Sequence, residues 1–95
     1  MTFEWDSEKE KANIRKHGID FSMAARVFSD ENRLELYDEA HSENEERYIT
    51  IGTVGGIMYV VFVVYTERED VIRLISARKA TPRERSLYYD YSQGN

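Results

Sequence analysis

One apolar run constrains the fold of this chain more than any other feature, since Ile57 to Tyr65 reads IMYVVFVVY. A strand made from this run would be apolar on both faces, which is typical of a central strand covered on each side. The run is much shorter than the roughly 20 residues that a helix needs to cross a bilayer. Because the chain has only 95 residues, we expect one domain over residues 1–95, with a single core around this strand.

The segments around this run predict a sheet. Residues Arg33 to Tyr37 (RLELY) and Arg47 to Val54 (RYITIGTV) alternate as strands do, and Val71 to Ala77 follows a polar turn. Gly55-Gly56 predicts a tight hairpin before the apolar run. The short alternation FEW near the N-terminus can start the same sheet. Four successive strands, joined by the acidic loop Asp38 to Glu46, the hairpin and the polar turn, indicate an antiparallel meander.

The first predicted helix runs from about Glu8 to His17. Asp6 or Ser7 can cap it, Ser7 with Glu10 forms a capping box, and Gly18 stands where a left-handed residue ends a helix. The helix is polar nearly all round, so it is either a solvated cover or a helix whose polar face has a task. Four side chains fall near one face: Lys9, Asn13, Lys16 and His17.

Two more helices complete the prediction. Ser22 can cap a short second helix, which buries apolar residues spaced by three and four between Phe21 and Phe28. Thr81 and Glu84 form a capping box around a proline at the first helical position, which predicts a helix from Pro82 to Tyr89. The order strand, helix, helix, four antiparallel strands, helix describes an α+β fold.

Charge is unevenly distributed along the chain. The formal net charge is −5, yet residues 28–46 carry eight acids and one base, whereas residues 71–89 carry five bases and one acid. A basic patch is the electrostatic footprint of a phosphate-rich ligand, and an acidic segment can meet a basic partner. The alternative is that both runs are solvated faces without a ligand. The bases of the second segment are Arg73, Arg78, Lys79, Arg83 and Arg85.

Several kinds of chemistry have no support in the sequence. There is no cysteine, which excludes disulfides, thiol catalysis and thiolate metal sites. His17 and His41 are far apart in sequence and belong to no metal-binding motif, so we expect no metal and no cofactor. The acidic N-terminus does not resemble a signal peptide, and we expect a cytoplasmic protein that does not bind membranes.

The remaining side chains suit RNA cleavage without a metal. That reaction needs a proton acceptor for the 2′-hydroxyl, cations around the phosphoryl oxygens and an acid for the leaving oxygen. Arginine binds two phosphate oxygens at once, and Tyr88 and Tyr89 beside Arg85 can stack on unpaired bases. In the alternative interpretation, Glu84 forms a surface salt bridge with a nearby arginine, which contributes less than about 1 kcal/mol. Tyr88 is then a buried residue that packs in the core.

Three stretches resemble the BrnT family of type II toxin-antitoxin toxins: FEWDSEKEKANIRKHGIDF, ERYITIG, and VYTERED with IRLISARKATPRERSLYY. The resemblance covers Phe3 to Tyr89. It implies a RelE-like ribonuclease fold and an RNA-cleaving activity that inhibits translation. It also implies neutralisation by a BrnA-type antitoxin with a ribbon-helix-helix domain, through which the complex would bind operator DNA and repress its own operon.

The motif positions of the family are all present in this chain. They are Trp5, Lys16, His17, Glu46, Arg47, Arg68, Arg73, Ser76, Arg78, Lys79, Glu84, Arg85 and Tyr88.

The basic junction and the resemblance together suggest roles for individual residues. We expect Arg73, Arg78 and Lys79 to stabilise the scissile phosphate, and His17 or Glu84 to accept the proton. His17 also fits a merely structural position, because a histidine at a helix end interacts well with the helix dipole. The expected RNA contacts are Lys16, Arg68, Arg85, Tyr88 and Tyr89.

The acidic run needs a separate explanation, because it should repel RNA. It can orient RNA toward the basic edge, keep the protein soluble, or meet a basic segment of the antitoxin through Glu43, Glu45 and Glu46. A different functional class also fits the sequence, namely a non-catalytic RNA- or partner-binding module that acts as a co-repressor.

Overall fold

A single sheet of five strands forms the centre of the computed structural model, which describes residues 1–55 and 59–92. The strands are β1 (Thr2–Glu4), β2 (Leu34–Tyr37), β3 (Tyr48–Thr53), β4 (Val60–Arg68) and β5 (Val71–Lys79). The helices are α1 (Ser7–His17), α2 (Phe21–Arg26) and α3 (Pro82–Ser92), with 3₁₀ turns at Val27–Ser29 and Glu39–His41. The order of elements therefore agrees with the α+β fold that the sequence predicts.

The strand order in the sheet is β1-β5-β4-β3-β2. Strands β2 to β5 form the predicted antiparallel meander, with the apolar strand β4 at its centre. Strand β1 lies beside β5 and runs parallel to it, so the sheet is mixed. Strand β4 begins at Val60, not at Ile57 as predicted, and the second half of the predicted Gly55-Gly56 hairpin lies outside the described residues.

A β-bulge interrupts the pairing of β4 with β5. Val64 is opposite Ser76, but the next residue of β4, Tyr65, is opposite Leu74. Ile75 is thus the extra residue of β5. A bulge of this kind changes the face to which every following side chain points, because side chains alternate along a strand.

The two faces of the sheet are covered differently. Helices α1 and α2 lie over the first face, where the larger core cluster forms around Phe21, Val63 and Leu74. Helix α3 covers only one end of the second face, where a smaller cluster forms. That cluster contains Ile51, Val60, Ala80 and Tyr88. The rest of the second face is left open between α3 and the acidic loop of residues 38–46.

Asp6 caps α1, and it accepts hydrogen bonds from the backbone N–H groups of Glu8 and Lys9 at 2.8 and 3.1 Å. The predicted capping box of Ser7 with Glu10 is wrong. Glu10 instead accepts from the indole of Trp5 and from the backbone N–H of Phe21, which joins β1, α1 and α2. Gly18 ends the helix in the left-handed conformation that was predicted, with φ of 73°.

Asn13 is the one buried residue of α1. Its side chain makes the backbone hydrogen bonds to β5 that a neighbouring strand would otherwise make. Its amide accepts a hydrogen bond from the N–H of Ala77 at 3.1 Å and donates one to the C=O of Ala77 at 2.8 Å. The same amide nitrogen donates to the C=O of Ile19 at 2.9 Å. Beyond the end of β1, this side chain therefore satisfies backbone groups of β5 that would otherwise be buried and unpaired.

The N-terminal cap of α3 is the predicted one, whereas the cap of α2 is a different residue from the one predicted. Asp20, and not Ser22, caps α2, by accepting from the N–H of Met23 at 2.7 Å. Thr81 and Glu84 form the predicted reciprocal capping box at the start of α3. None of the helices in the described part of the chain combines the length and the apolar character that crossing a bilayer requires.

Candidate functional site

The bulge at Ile75 decides which cations of β5 lie together. In a regular strand Arg73 and Lys79 would share a face, and Arg78 would point to the opposite one. Since the bulge shifts the alternation by one residue, Arg78 lies on the open face with Arg73. Its guanidinium stacks on the ring of Phe62 at 3.9 Å from the centroid.

Lys79 lies on the other face of the sheet. Its ammonium is 4.6 Å from the ring centroid of Tyr59, which packs against the larger core cluster. Lys79, which was expected beside the scissile phosphate with Arg73 and Arg78, therefore lines neither of the two clefts on the open face. The physical reason is that adjacent residues of a strand point to opposite faces, and the bulge determines that Arg78, not Lys79, joins Arg73.

Two adjoining clefts occupy the open face, and we name them after their arginines. The Arg73 cleft, of about 390 Å³, is lined by Lys9, His41, Glu43, Asn44, Glu45, Arg47, Arg73 and Ile75. The Arg78 cleft, of about 320 Å³, is lined by Asp38, His41, Arg47, Ile49, Phe62, Val64, Ile75, Ser76 and Arg78. Three residues line both clefts: His41, Arg47 and Ile75. His41 and Arg47 therefore lie between the two arginines of β5.

Arg78 is held by a two-point contact with Glu84. Its Nη1 and Nη2 donate to the two carboxylate oxygens at 2.8 and 3.0 Å, and Nη1 also donates to the C=O of Lys79 at 3.2 Å. The hydrogen bond from Arg78 lowers the pKa of Glu84, outweighing the opposite effect of burial. A carboxylate with a lowered pKa is a weak base. The geometry therefore favours Glu84 as the residue that orients Arg78 over the predicted role of proton acceptor.

Two further arginines have carboxylate partners at the surface. Arg73 donates to Glu4 at 3.0 Å, and Arg68 donates to Glu45 at 2.8 Å. Both pairs are well exposed, so we expect each to contribute little stability and to exchange readily with an anion. Within residues 1–55 and 59–92, the guanidinium of Arg47 makes no salt bridge or hydrogen bond.

The acidic loop is closed by hydrogen bonds, although its sequence predicts no regular structure. The N–H of Asp38 donates to the C=O of Arg47 at 2.9 Å, which joins the two ends of the loop. The hydroxyl of Ser42 donates to the C=O of Asp38 at 2.7 Å and accepts from the N–H of Arg47 at 2.8 Å. These bonds fix the 3₁₀ turn that carries His41.

His41 is a site residue that the sequence did not single out, except to note that it belongs to no metal motif. Its Nδ1 lies 3.2 Å from both carboxylate oxygens of Asp38. The signal that could have found it is the spacing Asp-x-x-His, which brings the two side chains together in one helical turn. Asp38 is mostly buried, whereas the imidazole is 68% exposed at the mouth of both clefts.

Several predicted site residues lie away from the clefts. Lys16 and His17 are at the C-terminal end of α1 and line neither cleft. Arg85 and Tyr89 are exposed on α3, outside both linings. Their RNA contacts, and a chemical role of His17, stay predictions. The three acidic residues expected to contact the antitoxin lie in different places. Glu43 and Glu45 line the Arg73 cleft, whereas Glu46 accepts a hydrogen bond from the hydroxyl of Tyr48 at 3.0 Å.

Tyr88 has a structural position in place of the predicted RNA contact. It is only 4% exposed and belongs to the smaller core cluster, so its ring cannot stack on a base without leaving the core. Its hydroxyl donates to Asp30, which also accepts from the N–H and the hydroxyl of Thr53 at 2.9 and 3.1 Å. Burial raises the pKa of Asp30, but these hydrogen bonds outweigh it and lower the pKa.

Carboxylates and imidazoles do not gather into a metal site in the described part of the chain. No group of three or more potential ligands lies close enough together there to hold an ion.

A comparison with protein families decides where this chain belongs. A family model described as "Ribonuclease toxin, BrnT, of type II toxin-antitoxin system" matches residues 5–84. The chain belongs to the BrnT family. The match spans both clefts and ends at Glu84, the partner of Arg78. A type II system implies that this BrnT-family chain has an antitoxin partner.

A solved structure of the family has the same fold. The crystal structure of the Brucella abortus ribonuclease toxin, BrnT, is similar to this chain with a TM-score of 0.67 and 25% identity. The similarity covers 85% of this chain and 97% of the Brucella chain. No curated protein matches the sequence.

Proposed function

We propose that this BrnT-family chain is a metal-independent endoribonuclease with a RelE-like fold, which cleaves RNA in the cytoplasm and so inhibits translation. One observation carries the proposal, namely that Arg47, Arg73 and Arg78 surround two adjoining clefts on one open face of the sheet. Planar guanidinium groups bind phosphate oxygens in pairs, and they stabilise the charge that grows there during cleavage.

Arg78 is suited to contact the scissile phosphate, because its orientation is fixed before RNA binds. Glu84 and the ring of Phe62 hold the guanidinium from two sides. In these three hydrogen bonds, Nη1 donates both of its protons and Nη2 donates one. Within the described residues, the Nε–H and the second N–H of Nη2 remain for two phosphate oxygens. A cation that is already in place loses little freedom on binding, which favours transition-state stabilisation.

Arg47 and Arg73 would then contact the RNA backbone on either side. Arg47 lies between the clefts without a carboxylate partner in the described part of the chain. Arg73 has to exchange Glu4 for a phosphate, which its exposed position permits. On this proposal RNA crosses the open face from Arg73 to Arg78, and the bulge at Ile75 brings both onto one path.

The proposed partner is a BrnA-type antitoxin with a ribbon-helix-helix domain, and the complex would bind operator DNA and repress its own operon. The support is membership of a type II toxin-antitoxin family. The acidic loop beside the clefts fits a basic antitoxin segment, since Glu43 and Glu45 line the Arg73 cleft itself. An antitoxin bound there would cover the path proposed for RNA.

Cleavage assays with purified protein test the proposed function. Arg78→Ala should lower the rate of RNA cleavage by about 10²–10³-fold, the range for loss of one charge-stabilising donor. Lys79→Ala is the matched control, since it removes a neighbouring cation that points to the opposite face. A chelator should leave the rate unchanged. If a folded Arg78→Ala protein cleaves RNA at the wild-type rate, the phosphate assignment is wrong.

The pairing of Arg73 with Glu4 and of Arg78 with Glu84 favours a second candidate, a non-catalytic module that binds RNA or a partner. Expression in a bacterium that lacks the antitoxin separates the two functions. Translation arrest with RNA fragments supports the ribonuclease, whereas RNA binding without fragments supports the module.

A further inference from the structure

His41 is the one histidine at the two clefts, among the residues that the structure describes. It lines both the Arg73 cleft and the Arg78 cleft, whereas His17 lines neither. The proposed reaction needs a group that accepts a proton near neutral pH, and imidazole is the side chain that changes charge between about pH 5 and pH 8. The location of His41 therefore matches this chemistry, whereas His17 lies outside both clefts and the lowered pKa of Glu84 makes it a weak base.

Asp38 holds the imidazole in a defined orientation. Its two carboxylate oxygens lie 3.2 Å from Nδ1, and the carboxylate is mostly buried. The backbone N–H of His41 also donates to the C=O of Asp38 at 3.3 Å. When the ring proton is on Nδ1 and is donated to Asp38, Nε2 presents a lone pair. A carboxylate that fixes the tautomer of a histidine base is a recurrent arrangement in hydrolases.

The loop that carries this pair is braced against the sheet. Asp38 follows β2 directly, Arg47 precedes β3, and the hydroxyl of Ser42 contacts the backbone of both. These bonds keep His41 close to Arg47, which lines both clefts with it. A base and a cation held side by side can act on the hydroxyl and on the phosphate of the same nucleotide.

We propose that His41 accepts the proton from the attacking 2′-hydroxyl of the RNA, with Asp38 as its positioning residue. This inference rests on the proposed ribonuclease function. Nε2 takes the proton, the 2′-oxygen forms a bond to phosphorus, and the bond from phosphorus to the 5′-oxygen breaks. The products are a 2′,3′-cyclic phosphate and a 5′-hydroxyl, whose proton comes from water.

Charges of both signs face His41 from the surrounding elements. The negative groups are Asp38, Glu43 and Glu45 on its own loop, and the positive groups are Lys9 of α1, Arg47 before β3, and Arg73 and Arg78 of β5. The cleavage rate should rise as His41 loses its proton and then reach a plateau. That rise belongs to His41 only if it disappears when the imidazole is removed.

The two histidines of the chain provide a matched experiment. His41→Ala and His17→Ala are compared with wild type in cleavage of a defined RNA over a range of pH, with circular dichroism as the check on folding. His41→Ala should lower the rate by about 10²–10⁴-fold, the usual contribution of general base catalysis. It should also abolish the rise with pH, and added imidazole should restore part of the activity. If His17→Ala, and not His41→Ala, shows these losses, His17 is the proton acceptor and the inference is overturned.

The remaining outcomes separate the inference from the proposed function. If wild type cleaves RNA and His41→Ala does so equally well with the same pH profile, the role of His41 is wrong and the ribonuclease stands. If wild type cleaves no RNA, the proposed function fails and the inference fails with it. His41→Gln guards against a folding defect, because it keeps a polar side chain but cannot accept the proton. A wild-type rate in His41→Gln overturns the inference, and a loss equal to that of His41→Ala supports it.

Discussion

The carboxylate of Glu84 contacts the guanidinium of Arg78 through two hydrogen bonds, of 2.8 and 3.0 Å, while one of its oxygens accepts from the N–H of Thr81 at 2.8 Å. A single side chain thus completes the N-terminal cap of α3 and orients a cation at the end of β5. The position of α3 and the geometry of the Arg78 cleft are therefore coupled.

Glu84→Gln should separate these two tasks. The amide oxygen can still accept from Thr81, but the charge that pairs with Arg78 is lost, so we expect a stability loss of about 1 kcal/mol near neutral pH. The hydrogen bond from Arg78 lowers the pKa of Glu84 in the folded protein. The stability it provides is complete above the pKa of the unfolded chain and is lost as the pH falls through the lowered value.

Urea unfolding of wild type and Glu84→Gln at about pH 7 and about pH 3 measures this effect. The difference between the two proteins should shrink at the lower pH. Asp90→Asn is the control, because it removes an exposed charge from the same helix. A difference that is independent of pH would contradict the ion-pair explanation.

Tyr88→Phe should weaken the fold without affecting RNA binding. The substitution keeps the packed ring and removes the hydrogen bond to Asp30, which we expect to lower the free energy of unfolding by about 1.5–3 kcal/mol. Since hydrogen bonding lowers the pKa of Asp30, this difference should also fade as the pH drops through that lowered value.

Tyr89→Phe is the control for stability, since Tyr89 is exposed. Filter binding of RNA completes the test of both tyrosines. A large loss of RNA affinity in a folded Tyr88→Phe protein would mean that the hydroxyl contacts RNA, and it would contradict a purely structural role. Tyr89→Ala should weaken RNA binding by about 1–3 kcal/mol if a base stacks on that ring.

Gly52→Ala should destabilise the protein by about 1–3 kcal/mol, because it adds a methyl group to a filled space. A Cβ at Gly52 would lie 2.9 Å from Oδ2 of Asp30 and 3.1 Å from Cγ1 of Val27. The Asp30 oxygen cannot move away without losing its hydrogen bonds to Thr53 and Tyr88. Gly55→Ala is the matched control, because a Cβ there meets no atom of the described residues within 4 Å. Thermal unfolding of the two variants should differ clearly.

Asn13→Ala should loosen the edge of β5. It leaves the buried N–H and C=O of Ala77 without partners, and each unsatisfied group costs about 1–3 kcal/mol. Amide hydrogen exchange should show faster exchange at Ala77, together with a lower unfolding free energy. Asn32→Ala is the control, because, in the part of the chain that the structure describes, only the backbone of that exposed residue is hydrogen-bonded. Unchanged protection at Ala77 would mean that another group satisfies the edge.

Neutralising the acidic loop should slow association with the antitoxin. Replacing Glu43, Glu45 and Glu46 by glutamine removes charge beside the Arg73 cleft, so the association rate should fall at low salt and differ little at high salt. Stopped-flow or surface-binding kinetics measures this. Glu67 and Glu69, exposed acids outside the loop, supply the control substitutions. An association rate that does not change would leave solubility as the explanation of the acidic run.

Local sequence patterns predicted much of the fold. The alternating segments and the run IMYVVFVVY predicted the meander, and the capping box of Thr81 with Glu84 predicted the start of α3. These features depend on residues close together in the chain. The parallel pairing of β1 with β5 was not predicted, because it depends on contacts between the two ends of the chain.

The candidate site was harder to predict for the same reason. Arg73 and Arg78 were expected at the site, but the bulge that brings them to one face arises from the register of β4 with β5. The location of His41 depends on hydrogen bonds that close the acidic loop. The sequence alone does not show whether Tyr88 is a surface or a core residue, because that depends on how α3 packs on the sheet.

The bulge at Ile75 also affects how related chains should be compared. Two homologues can keep every motif residue and still differ in chemistry if β5 of one of them continues as a regular strand of the same length, without the bulge. If β5 paired regularly at the same length, the following lysine would replace the arginine on the open face, and an alignment would record no difference. The presence of every motif residue therefore does not by itself determine which charged side chains lie on the open face.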